Sequence, residues 1–398
     1  MSLMPSRMNA VQAPIIPIVG ELIRTNPGTI SLGQGMVSWG PPPEAVAAAR
    51  EAAGLTASHR YGPVEGSPAL IEALGRKLRG ENGLDLDGSR LLVTAGSNMA
   101  FLSVIQAITS PGDEIILPAP FYFNHEMAVR IADCTPVVVA TDRDYQLDPD
   151  ALARAVTPRT RAIVTVSPNN PTGAVYPADT LRAVNALCAR LGLLHISDEA
   201  YEYFTWDFAR HFSPASLPGA GAHTISLYSL SKAFGFAGWR VGYMVIPEAL
   251  NEAVYKVQDT VLICPPIVSQ AAALACVGVG RAWTARFLEP LARVRREVLE
   301  LFASIADVCE VPTPGGAFYC LARVRTSRTA MTVMERLVRE HRIGVIAGET
   351  FGLTDGCYLR VSYGALAGET VREGMLRLVS GLRSVAGSEG AQGLKAQG

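Results

Sequence analysis

The sequence predicts an α/β fold in which a large three-layer α/β/α domain with a mostly parallel seven-stranded sheet is joined to a smaller α+β domain. Three observations predict it. From about Pro43 to Gly280, short apolar runs alternate with stretches of helical periodicity. The runs are apolar throughout, as strands covered on both faces are. After Arg281 the character changes, and a long charged helical stretch leads to more strands around one further helix.

In chain order the large-domain strands read "RLLVTAG", "DEIILPAP", "TPVVVAT", "RAIVTVSP", "GLLHISDEA", "HTISLYSLS" and "RVGYMVI", several closed by turn residues. The second domain opens with "RAWTARFLEPLARVRREVLELFASI". It continues with "GGAFYCLARV" and "CYLRVSYGAL" as strands around the helical "TAMTVMERLVREH". These signals divide the chain into an N-terminal arm that completes part of the small domain (1–42), a large domain (43–280) and a small C-terminal domain (281–387). A Gly-rich tail from Ser388, "SEGAQGLKAQG", is expected to be disordered.

Composition narrows the function classes. The 398 residues carry a net charge of −1, with 49% hydrophobic and 18% charged residues, which argues against nucleic acid or an anionic membrane as the main partner. Seven scattered cysteines form no CxxC pair and predict reduced thiols in a cytoplasmic protein. The first residues, broken by Pro5, Pro14 and Pro17, do not read as a signal peptide. Val261–Gly280 has no charge, but Pro265, Pro266, Ser269 and Gln270 interrupt it, so it reads as a loop and a buried helix rather than a membrane span. The six histidines form no metal-like pair and read as structural or surface residues, and no metal is expected. Trp206 and Trp283 read as packing, and "RRE" at Arg295 as a solvated helix face.

The candidate chemistry sits at strand ends, where α/β sheets collect functional residues. In "SLSKAFGFAGWRVGY", Lys232 follows an uncharged strand and has no charged neighbour before Arg240. Desolvation there disfavours the ammonium and favours a nucleophilic amine. Gly96-Ser97-Asn98 opens a helix after a strand; it is either an anion site or an ordinary strand–helix turn. Asp198 ends "GLLHIS" and could hold a cationic nitrogen or cap a helix. Asn170-Pro171, in "SPNNPTG", carries an amide in a stiff turn.

Together these parts match what pyridoxal 5′-phosphate requires. The chain resembles the class I/II aminotransferases of pyridoxal-phosphate fold type I, from "SLGQG" to "LRVSYG". The most specific motifs are "SPNNPTG", "SDEAY" and "SLSKAFGFAGWRVGY". The resemblance implies that Lys232 carries the cofactor and shuttles the proton, that Asp198 keeps the ring nitrogen protonated, and that Tyr201 and Asn170 bond the ring oxygen. It implies Tyr122 as the stacking ring, with Phe121 or Phe123 in that place if the register slips. It gives Ser97, Asn98, Ser229 and Arg240 to the phosphate and Tyr61 to the phosphate of a neighbouring subunit, hence a homodimer with shared sites. Arg360 matches the arginine that grips the α-carboxylate, assisted by the Gly35 N–H.

The implied reaction moves an amino group from an L-amino acid to a 2-oxo acid by a ping-pong mechanism. A carbon–sulfur β-lyase would use the same contacts. A non-catalytic regulator fused to a DNA-binding module is disfavoured, since the N-terminal segment has neither a helix-turn-helix pattern nor a basic cluster. "QGMVSWGPP" is similar to plant aminotransferases acting on aromatic amino acids and methionine. That implies Trp39 and Met36 beside an apolar substrate side chain, although Trp39 could equally anchor the N-terminal segment. No arginine is matched to a distal carboxylate.

Overall fold

The computed structural model describes residues 6–393. Its centre is a sheet of seven strands: β2 (Ser89–Thr94), β3 (Glu114–Ala119), β4 (Thr135–Ala140), β5 (Thr160–Val166), β6 (Leu194–Asp198), β7 (Thr224–Ser229) and β8 (Gly242–Pro247). The order is β2-β8-β7-β6-β5-β3-β4, and only β8 runs against the rest. Side chains alternate between two cores, as strand geometry requires. Ile115, Leu117 and Val164 face one core, with Phe101, Val104 and Val129 of the overlying helices. Ile116 and Ile163 face the other, with Leu181, Val184 and Leu187 of the Ala178–Leu191 helix.

This topology sets where the chemistry gathers. β3, β5, β6 and β7 all end at one edge, and the reversed β8 begins there. Gly242 pairs with Thr94 on one side and Ser229 on the other, so the segments around Gly96, Ser229 and Arg240 converge. The approach is close: a Cβ on Gly242 would lie 2.7 Å from the Ser97 backbone nitrogen.

A second, antiparallel sheet has the order β12 (Ile346–Ala347), β13 (Cys357–Ser362), β10 (Tyr319–Val324), β9 (Cys309–Glu310). It packs with the Ala330–His341 helix, which lies against the Gly368–Gly393 helix, itself packed on the Arg281–Ala303 helix. The N-terminal segment joins this region, because β1 (Ile30–Ser31) pairs in parallel with β11 (Ile343–Gly344). The Ser362 N–H then donates to the Leu32 carbonyl at 2.7 Å, which fixes Gly33–Gly35 beside β13.

One expectation needs correcting. Arg295 is buried, donating to the Pro314 carbonyl and to Asp207 Oδ2 at 2.9 Å, while Arg296 and Glu297 are the solvated residues. Helix periodicity turned one arginine of the run inward, where two acceptors satisfy it. The final helix, Gly368–Gly393, runs past Ser388, and residues 394–398 of the tail lie outside those described. Val261–Gly280 is a short turn followed by the Ile267–Val279 helix, and among the described residues no helix is long and apolar enough to cross a membrane. All seven cysteines are free, and all but Cys264 are buried.

Candidate active site

A cavity of about 200 Å³ opens where the two sheets meet. Its wall includes Ser97, Asn98, Tyr122, Asn170, Asp198, Tyr201, Ser229, Lys232, Arg240, Arg360 and Gly35, so most of the expected residues share one space.

Lys232 lies in the short helix that follows β7. Its Nζ donates to the Gly35 carbonyl at 2.6 Å. Burial, then the Arg360 and Arg240 guanidiniums, bring its ammonium down to about 8, against a weaker opposing pull from Asp198. A substantial neutral fraction is therefore present near physiological pH. Gly35 meets this residue with its carbonyl, whereas the sequence reading had expected its N–H to serve a substrate.

Arg360 is buried in β13. Nη1 donates to Asn170 Oδ1 at 2.9 Å and Nη2 to the Gly33 carbonyl at 2.7 Å, while Nε has no partner. The guanidinium lies over the rings of Tyr319 and Phe351, at 4.8 and 5.2 Å. Among the described residues, no carboxylate lies within ion-pair distance. A buried guanidinium held only by neutral acceptors and ring faces is suited to an incoming carboxylate.

Asp198 is the cavity's carboxylate. Oδ1 accepts from the Ala200 N–H at 3.0 Å, and Oδ2 lies 3.2 Å from His125 Nε2. His125 is stacked on Phe101 with ring centroids 4.0 Å apart. The sequence reading missed this histidine. Its only signal is its position in the first turn after β3, and nothing local links it to Asp198.

The opposite end is a cradle. Ser97 and Asn98 begin the Ser97–Ile108 helix, and Ser229 and Ser231 lie across from them. Arg240 adopts a left-handed backbone (φ 54°) and donates to the Ala237 and Ala95 carbonyls. Gly96 is required there: its φ is 82°, and a Cβ would sit 2.5 Å from Arg240 Nη2. Helix N–H groups, hydroxyls and a guanidinium around such a space fit a phosphate. With the amine of Lys232 and the carboxylate of Asp198, the residues present fit pyridoxal 5′-phosphate.

Tyr122 and Phe123 both line the cavity, whereas Phe121 is buried against Gly352. Tyr319, Ile16 and Gln34 also line it and were not anticipated. Tyr319 reaches the wall because β10 pairs Leu321 with Arg360, which puts Tyr319 on the same sheet face. Ile16 is held near by Gln12, whose amide bonds Glu126 and Thr350.

Two expected residues fall elsewhere. Trp39 stacks on Phe287 at 4.5 Å, nearly coplanar, and its indole N–H points to the Ala233 carbonyl, so it anchors the N-terminal segment outside the cavity wall. Met36, its expected companion, does line the cavity. Tyr61 is 80% exposed and lies outside the cavity.

The chain matches the family model described as "Aminotransferase class I and II" over residues 27–378. It is 33% identical to an aromatic aminotransferase of Arabidopsis thaliana, covering 94% of each chain. It is 32% identical to an aspartate aminotransferase of Pyrococcus abyssi, covering 96% of this chain and 98% of that one. Among solved structures it is similar to the aspartate aminotransferase from Thermus thermophilus with maleate, with a TM-score of 0.88, 32% identity, and coverage of 96% and 100%.

In cofactor-free protein, acetylation of Lys232 followed by mass spectrometry is expected to titrate with a midpoint of about 8. Arg360→Gln should raise that midpoint, since it removes a positive charge that opposes the ammonium. A wild-type midpoint at the ordinary 10.5 contradicts the electrostatic reading.

Proposed function

The chain belongs to the class I and II aminotransferases, and from that membership we propose roles for the residues of its cavity and the class of substrate it takes. It is a pyridoxal-phosphate-dependent aminotransferase. When bound, the cofactor supplies a conjugated ring that accepts electrons from the carbon beside the carboxylate.

Ser97, Asn98, Ser229, Ser231 and Arg240 would hold the phosphate, Asp198 the protonated ring nitrogen, Asn170 and Tyr201 the ring oxygen, and Tyr122 a ring face. Lys232 would carry the covalent link. Its neutral Nζ would take the amino acid's α-proton and, as ammonium, would hand it to the cofactor carbon that had carried the lysine link. The depressed lysine supports this role, because the same group must be base and acid near neutral pH. Asp198 keeps its orientation through His125 and the Ala200 N–H. Arg360 binds the α-carboxylate through its fork, and its unpartnered Nε is the single observation that carries the assignment. Both 2-oxo acids would need Arg360 and the same cavity of about 200 Å³, so the first must leave before the second enters.

The donor's side chain would meet Ile16, Met36 and Phe123. Of the cavity's two arginines, Arg240 is committed to the phosphate and Arg360 to the α-carboxylate, which leaves no guanidinium of this chain for a distal carboxylate among the lining residues. We therefore favour an aromatic or methionine-like donor.

A homodimer completes the site in this reading. Tyr61 is exposed, and the next residue, Gly62, donates its N–H to Cys264 beside the exposed Ile263, so an apolar surface continues from it. The free, mostly buried thiols support a cytoplasmic location.

A half-reaction panel tests the substrate. With a 2-oxo acid acceptor present, phenylalanine and methionine should exceed aspartate in kcat/KM by about tenfold or more. Aspartate in first place overturns the apolar assignment. Light scattering should give a dimer, and Tyr61→Ala should weaken cofactor retention; a fully active monomer removes the shared-site reading.

A further inference from the structure

One residue of the cavity wall, Tyr319, has no part in these roles. Tyr319 Oη lies 2.7 Å from Tyr201 Oη. Both side chains are buried, Tyr319 on β10 and Tyr201 in the turn after β6, so this bond links the two sheets beside the cavity. Burial pushes both phenols up, Tyr319 to about 12 and Tyr201 further. Both are therefore neutral in the working range, and each has one hydrogen to donate.

The direction of the bond matters. If Tyr201 donates to Tyr319, it has no hydrogen left for a ligand. If Tyr319 donates, the Tyr201 hydrogen is free to point into the cavity, and a hydroxyl that accepts a bond becomes a better donor itself. The surroundings favour the second arrangement. Arg360 lies 4.8 Å over the Tyr319 ring and makes it the more acidic phenol. The other charged or titratable groups on this wall are Lys232, Asp198, Arg240 and Tyr122, and none of them is a hydrogen-bond partner of Tyr319. The N-terminal loop is closed on the same hydroxyl: a Cβ on Gly35 would sit 2.7 Å from it. That glycine's carbonyl holds Lys232, so one phenol adjoins three working groups.

We propose that Tyr319 is a positioning residue of the reaction, donating its hydrogen to Tyr201 so that Tyr201 donates its own to the ring oxygen of the bound cofactor. The proposal rests on the assignment of Tyr201 given above. A donor at that oxygen stabilises its anionic form. Without the Tyr319 hydroxyl, Tyr201 is a weaker donor, and the oxygen's anion forms at higher pH.

The test is the pH dependence of the bound cofactor's absorbance in the holoenzyme, with cofactor content matched across variants. Tyr319→Phe keeps the ring under Arg360 and removes only the hydroxyl. Its midpoint should rise by about half a pH unit, as expected for a modest cooperative gain in one charge-assisted bond. KM for the amino acid should stay within about twofold, because the carboxylate fork is untouched. Tyr201→Phe should raise the midpoint further, and adding Tyr319→Phe to it should change nothing more. Replacing Tyr319 with a ring-fluorinated tyrosine, a more acidic donor, should lower the midpoint.

An unchanged midpoint in Tyr319→Phe, when Tyr201→Phe does shift it, overturns the relay and leaves the Tyr201 assignment standing. An unchanged midpoint in Tyr201→Phe overturns that assignment and the relay with it. A Tyr319→Phe shift that persists in the Tyr201→Phe background also overturns the relay.

Discussion

An excess of positive charge around one small cavity governs this structure. Lys232, Arg240 and Arg360 line one cavity, and Asp198 is the carboxylate that faces them. Burial disfavours the lysine's ammonium most, and the two guanidiniums add to that. The lysine yields because an amine can lose its proton where a guanidinium cannot. The same imbalance makes the cavity receptive to anions. A phosphate at the Arg240 end and a carboxylate at the Arg360 end would each meet an opposite charge and leave Lys232 available as a base.

The fold holds that arrangement by spending local backbone freedom. Reversing β8 brings Arg240 to the edge where the parallel strands end, and only glycine at 96 and 242 allows the resulting close approach. Arg240 itself sits in a left-handed conformation, which is uncommon for a residue with a side chain and persists because its guanidinium is tied to two carbonyls. On the other side, β1 and the Leu32 carbonyl fasten the N-terminal segment to the smaller sheet. The carbonyls of Gly33 and Gly35 can then serve Arg360 and Lys232.

What could be read from the sequence was what is local. The seven strands of the main sheet are continuous apolar runs, and Asp198, Lys232 and the Gly96–Asn98 turn follow strand ends directly, so their convergence was legible before any coordinates. Tyr319 and His125 were not, since each acts through a partner far away in the chain: Tyr201 for one, Asp198 for the other. Trp39 had two open readings, a substrate contact or an anchor for the N-terminal segment. Only the distant Phe287, on a helix that begins at Arg281, decides for the anchor by offering it a flat apolar ring to stack on. Arg295 was misread because a charge run does not reveal which member turns inward to a buried carbonyl.

The central claim is that this charge balance singles out Lys232 as the amine that takes the cofactor. Its competitors within the described residues are neutralised: Lys77 is paired with Glu202 and Lys256 with Glu252. Borohydride reduction of the holoenzyme followed by peptide mapping measures this directly. The account predicts a single pyridoxyl adduct, on the peptide that contains Lys232. An adduct on another lysine, or none at all, would contradict it.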